Sequence, residues 1–179
     1  MPEPKGRLVT PVGFTAAGKM VSMLLDVEGR QEVVTVPRTS AKARAYLSAN
    51  QEDISHNTST KVLLNGTSFD PSSIFAANKF TIKVPGYYYT TGHIRYLKAS
   101  VVADKAYYVG IWKNGAAIIW HGVHASLTSK VDANVTDCVH LNVDDYLELY
   151  AHHEAGVDTI DVEAGSDKTF FTAHLLSAD

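Results

Sequence analysis

A chain of 179 residues, 45% hydrophobic and 20% charged, has the size and make-up of one soluble globular domain with room for an arm. A net charge of −3 argues against a whole-surface nucleic-acid binder. The single cysteine, Cys138, excludes a disulfide framework and a cysteine-based zinc site, and no run approaches the roughly 18 apolar residues of a membrane helix.

The first 44 residues differ from the rest. They carry Lys5, Arg7, Lys19, Arg30, Arg38, Lys42 and Arg44 against Glu3, Asp26, Glu28 and Glu32, and they hold Pro2, Pro4, Pro11 and Pro37 of the six prolines. A basic, proline-punctuated arm, residues 1–42, is therefore expected ahead of an acidic domain, residues 43–179. The segment MPEPKGRLVTPVG lacks the apolar core of a signal peptide, so synthesis in a cytoplasm without classical export is expected. Within the arm, KMVSMLLDVEGRQEVVTV reads as two strands around Glu28-Gly29. A lone hairpin is marginal in water, so it needs a partner surface. Phe14, Met20, Met23, Leu25 and Val34 are the candidate docking residues.

Ala41 to Asp53, AKARAYLSANQED, is the one helical candidate, rich in helix formers but marginal in length. After it, short runs alternate with period two: Phe80/Ile82/Val84, Tyr107/Val109/Ile111, Val139/Leu141/Val143 and Leu147/Leu149. Turn signals separate them at Asn65-Gly66, Pro85-Gly86, Asn114-Gly115, Asp144-Asp145 and Ala164 to Asp167. IWKNGAAIIW predicts a hairpin with Trp112 on one arm and Trp120 on the other. Evenly spaced short strands of this kind predict an all-β antiparallel sandwich or barrel.

Three tyrosines follow the Pro85-Gly86 turn. On a strand Tyr88 faces one side and Tyr87 and Tyr89 the other, so one side packs a core and the other presents aromatic rings. Such a surface suits burial against another copy of the chain; a sugar-binding platform is the rival reading.

KFTIKVPGYYY, residues 79–89, resembles the signature of the complement 1q and tumour-necrosis-factor jelly-roll superfamily. Ala45 to Ala49 is similar to that family's first strand, and Phe69-Asp70 to its Phe-Asp before a loop. Trp112 to Gly115 resembles its Lys-Asn-Gly hairpin, Leu141 to Leu149 its Gly-Asp segment, and Phe171 to Leu176 its closing strand. Asp144 stands where the family has Gly, and Ala173-His174 where it has Gly-Phe. The resemblance implies a jelly roll over residues 43–179 and a homotrimer with three inner sheets around an axis. It makes Tyr46, Phe80, Tyr87, Tyr88, Tyr89, Phe171 and Leu175 the candidates for core or trimer interface. Gly13 to Lys19, Leu24 to Gly29 and Val33 to Val36 are similar to a segment frequent in bacteriophage structural proteins. The two likenesses together imply a virion protein on a capsid surface, with itself and the major capsid protein as partners. A glycan-binding tail or baseplate tip is the alternative.

No enzyme signal stands out. Gly13 to Lys19 has the spacing of a phosphate loop, but Met20 replaces the Ser or Thr that reaches Mg²⁺. There is no Gly-x-Ser-x-Gly elbow. His121 with His124, and His152 with His153, diverge on a strand, so no metal site and no cofactor are expected.

Overall fold

A computed structural model describes residues 9–14, 20–25, 31–35 and 41–179. By its contacts the chain forms two compact units, Met1–Thr39 and Ser40–Asp179. In the first, β1 (Val9–Phe14), β2 (Met20–Leu25) and β3 (Gln31–Thr35) make an antiparallel sheet in the order β1-β2-β3. The expected hairpin is the β2–β3 pair, and β1 adds a strand that the sequence pattern did not predict. Pro11 lies inside β1, an edge strand of this sheet, which is where a strand tolerates proline. The docking candidates occupy register positions on these strands, with Phe14 opposite Met20, Thr10 opposite Met23, Ser22 opposite Val34 and Leu25 opposite Gln31. Their side chains lie outside what the structure describes.

Among its described residues the second unit contains no α-helix, only a 3-10 turn at Lys98–Ser100. One sheet is built from β4 (Lys42–Tyr46), β5 (Gln51–Ser55), β7 (Gly66–Phe69), β10 (Gly86–Tyr96), β13 (Val131–Leu141), β15 (Thr159–Val162) and β16 (Phe170–Ala178). Its path is β5-β15-β10-β16-β4-β7, with β13 along the other side of β10. The second sheet holds β6 (Thr60–Lys61), β8 (Phe75–Ala76), β9 (Lys79–Thr81), β11 (Lys105–Lys113), β12 (Ala116–Ala125) and β14 (Tyr146–His153). Its path is β12-β11-β14-β9-β8, with β6 on β14. All these pairings are antiparallel.

Ala41 to Asp53 is not helical. Ala41, Ala43, Ala45 and Leu47 are buried at every second position, and that apolar face packs as β4 despite alanine's helix propensity. One core joins the sheets. Phe80 from β9 meets Phe171 from β16 with ring centroids 4.9 Å apart, and Tyr96 meets Tyr107 at 5.0 Å. The buried Tyr96 hydroxyl lies 2.6 Å from the Tyr108 carbonyl oxygen and accepts the His152 N–H at 3.2 Å, so it crosses the core without an unpaired polar atom.

Two strand boundaries differ in detail from the sequence pattern. Asn65-Gly66 is no hairpin turn: Gly66 opens β7 opposite Tyr46, and a Cβ there would run into the Tyr46 ring. Val143 is 51% exposed, beyond the end of β13, because the chain has already entered the Asp144-Asp145 turn.

Asn114 and Gly115, by contrast, take φ of 53° and 80°, the left-handed pair of a two-residue hairpin. This hairpin is tied to the β13–β14 turn. Asn114 Nδ2 donates to Asp145 Oδ1 at 2.6 Å, while Asn114 Oδ1 accepts the Tyr146 N–H at 2.9 Å. The Asn142 N–H donates to Asp145 Oδ2 at 2.8 Å, and Lys113 Nζ sits 2.9 Å from the same oxygen. Burial alone raises the Asp145 pKa, but these donors outweigh it and hold the carboxyl at about 2. Asp144, in the family's glycine position, has φ of 68°. An aspartate is strained there, so Asp144→Gly is expected to stabilise the fold by about 0.5–1 kcal/mol, read as a higher denaturation midpoint.

A second expectation concerns acid. His153 is fully buried on β14, with Nε2 2.8 Å from the Ile54 carbonyl oxygen and Nδ1 3.3 Å from the Ala155 N–H. These partners fix a neutral tautomer with the proton on Nε2. Burial pushes its pKa below 6.5; the Ile54 carbonyl opposes this, and His56 and His152 reinforce it. The unfolded chain therefore binds the proton first, and stability is lost as pH falls below 6.5. The Asp145 contribution persists to lower pH, fading from 3.8 towards about 2. Denaturation midpoints measured from pH 8 to 4 should fall below the histidine range, and His153→Gln should flatten that limb.

Candidate functional site

The outward face of the seven-stranded sheet is a grid set by register. Across β13, β10, β16 and β4 one row reads Cys138, Tyr89, His174, Lys42, and the next reads Thr136, Thr91, Thr172, Arg44. A third reads Asn134, His93, Phe170, Tyr46. Tyr87 lies between His140 and Ser177 at the end of the sheet. Alternation along β10 puts Tyr88 at 0% exposure and leaves Tyr87 at 53% and Tyr89 at 43%. The Tyr88 hydroxyl donates to the Val84 carbonyl at 2.8 Å, satisfying its one buried polar atom.

This face is internally organised. Tyr87 meets the His140 ring edge-on with centroids 5.0 Å apart, and His140 Nε2 lies 3.0 Å from Asp179. His93 and Phe170 stack at 5.3 Å, with the Arg44 guanidinium 4.1 Å from the Phe170 ring centre. Arg95 makes a two-pronged contact with Asp132 at 2.6 and 3.2 Å. A bulge in the β10–β16 register leaves Leu176 unpaired between Leu175 and Ser177, 58% exposed. Rigid rings and partnered charges keep this surface pre-organised, so covering it costs little side-chain entropy.

The sequence candidates divide between the two faces. Phe80, Tyr88, Phe171 and Leu175 are core, whereas Tyr87, Tyr89 and the half-buried Tyr46 belong to the outward face. Sequence pattern did not place His93, His140, His174, Arg44 and Phe170 beside the tyrosines. Only strand register brings them there, and a single strand's sequence does not encode its neighbours' register. Among the described residues no three His, Cys, Asp or Glu side chains gather as a metal-ligand set. His152 is half-buried and His153 fully buried, so the adjacent pair diverges.

Strand order, hairpin positions and the two facing sheets define a jelly roll of the complement 1q and tumour-necrosis-factor type. The globular domain of zebrafish complement 1qA superposes with a TM-score of 0.57 at 14% identity, over 78% of this chain and 99% of that one. Eiger TNF from S. frugiperda gives 0.60 at 11% identity, over 79% and 96%. Murine APRIL gives 0.58 at 10%, over 77% and 100%. No family model matches the chain, and no curated protein sequence matches it. At these identities the likeness is one of fold.

Proposed function

We propose that the protein is a non-enzymatic structural component of a bacteriophage virion, a homotrimeric capsid decoration or head-fibre protein. The observation that carries the reading is the tyrosine face. Tyr87, Tyr89 and Leu176 are 53%, 43% and 58% exposed on neighbouring strands of one sheet, an aromatic and apolar surface suited to burial against another copy. Three copies packed through this sheet cover it, with tyrosine hydroxyls tolerating the wet rim. The arm, residues 1–42, docks on the major capsid protein, and its basic excess suits an acidic shell surface. Its small sheet gains order from that contact. The phage assignment rests on the arm's sequence likeness.

The test is copy number per purified virion, for the full chain and for a chain lacking residues 1–42. Hundreds of copies, lost on truncation, are expected. A handful of copies at the tail overturns the decoration role and favours the second reading, a receptor-binding tip. One observation speaks for that reading, an aromatic cleft on the opposite sheet.

A further inference from the structure

On the six-stranded sheet Tyr107, Val109 and Ile111 are buried in the core, so Tyr108, Gly110 and Trp112 look outward. Trp120 pairs across from Gly110, and Gly122 across from Tyr108. A Cβ on Gly110 would sit 2.5–2.7 Å from three atoms of the Trp120 ring, and one on Gly122 would sit 2.5–2.6 Å from two atoms of the Tyr108 ring. The two glycines therefore let two aromatic rings lie down across the strands as a floor. Trp112 stands nearly perpendicular to Trp120, at 84°, and is backed by Tyr150, stacked at 4.0 Å and 16°. Floor and wall border an open cleft of about 350 Å³, at the small end of the range for small-molecule sites. Ser59, His152 and Glu154 complete its lining. The chain's two tryptophans thus both line this cleft.

From this geometry we infer that the cleft binds a neutral saccharide, one or two pyranose units, with a sugar C–H face on the Trp120–Tyr108 floor and hydroxyls at Ser59, His152 and Glu154. The His152 ring also stands steeply to the floor, at 72° to Tyr108 and 70° to Trp120. The broad floor matches the flat apolar side of a pyranose, whose C–H groups meet the negative ring faces. No Lys or Arg lines the cleft among the described residues, while Glu154 brings a carboxylate. This disfavours phosphate-bearing ligands and acidic sugars. The Glu154 carboxylate and the His152 ring, 4.0 Å apart, offer an acceptor and a ring nitrogen to vicinal hydroxyls. The inference deepens the receptor-binding reading and does not depend on where in a particle the trimer sits.

Because both tryptophans line the cleft, intrinsic fluorescence of the full chain reports it directly. Titration with a panel of neutral oligosaccharides of glucose, galactose and N-acetylhexosamines is expected to give a saturable change for at least one, with Kd on the order of 1 mM or tighter. Trp120→Ala is expected to weaken that binding about ten-fold or more, and Glu154→Gln to weaken it less. Sedimentation should show both variants in the same assembly state as the parent, which separates this inference from the trimer proposal. Choline and adenosine monophosphate are titrated in parallel. No saturable saccharide in the panel overturns the inference. So does a saccharide whose binding survives both substitutions, or saturation by choline or the nucleotide alone.

Discussion

Replacing Tyr89 with arginine is expected to abolish the proposed three-chain assembly and to leave single folded chains. Tyr89 lies mid-sheet between Cys138 and His174, with Lys42 one strand further in the same row. It is 43% exposed, while its neighbour Tyr88 is buried, so the substitution touches the outward face and leaves the core alone. Truncating a central interface aromatic costs about 2 kcal/mol or more, and threefold symmetry repeats that loss at every equivalent contact. Arginine adds a positive charge to a row that already carries Lys42, and like charges on a face packed against its own copies oppose reassembly. The β-sheet circular dichroism spectrum should stay that of the parent, which shows that the separated chains remain folded. A Tyr89→Arg variant with the parent's sedimenting mass would show that the tyrosine face is not the contact.

Phe80→Ala has the larger effect on the fold itself. Phe80 is fully buried and bridges the sheets, its ring centroid 4.9 Å from that of Phe171 and 5.4 Å from that of Phe75. Its loss removes transfer energy and leaves a cavity between two sheets that hydrogen-bond networks hold apart. The expected cost is about 3–5 kcal/mol, a large part of the roughly 5–15 kcal/mol that holds a domain together. Chemical denaturation should show the midpoint falling steeply with an unchanged slope. A loss under about 1 kcal/mol would mean that this ring pair is peripheral. The contrast between Phe80→Ala and Tyr89→Arg separates what folds the chain from what assembles it.

The two substitutions also mark what was legible in the sequence. Phe80, Tyr107, Val109, Ile111, Leu147 and Leu149 are all buried, because period-two alternation is a local property of a half-buried strand. Asn114-Gly115 was legible for the same reason: its left-handed backbone is local chemistry. The Asp144-Asp145 turn acquires a reason from the structure. Asp145 staples one turn to the neighbouring hairpin, while Asp144 bears the left-handed strain that glycine avoids.

What stayed hidden was non-local or masked by composition. Ala41, Ala43 and Ala45 carry a buried strand face in residues whose propensity favours helix. The grid around Tyr89 depends on β13, β16 and β4, which come from three distant parts of the chain. The aromatic cleft left a trace in the sequence, glycines at 110 and 122 among the aromatic residues of the β11–β12 hairpin. The trace becomes meaningful only when cross-strand register pairs each glycine with a ring.

Assembly through the tyrosine face is the central claim, and the mass of the intact chain in solution tests it most directly. Sedimentation equilibrium on the order of 20 µM is expected to return the mass of three 19.5 kDa chains. The mass of a single chain at that concentration would contradict it.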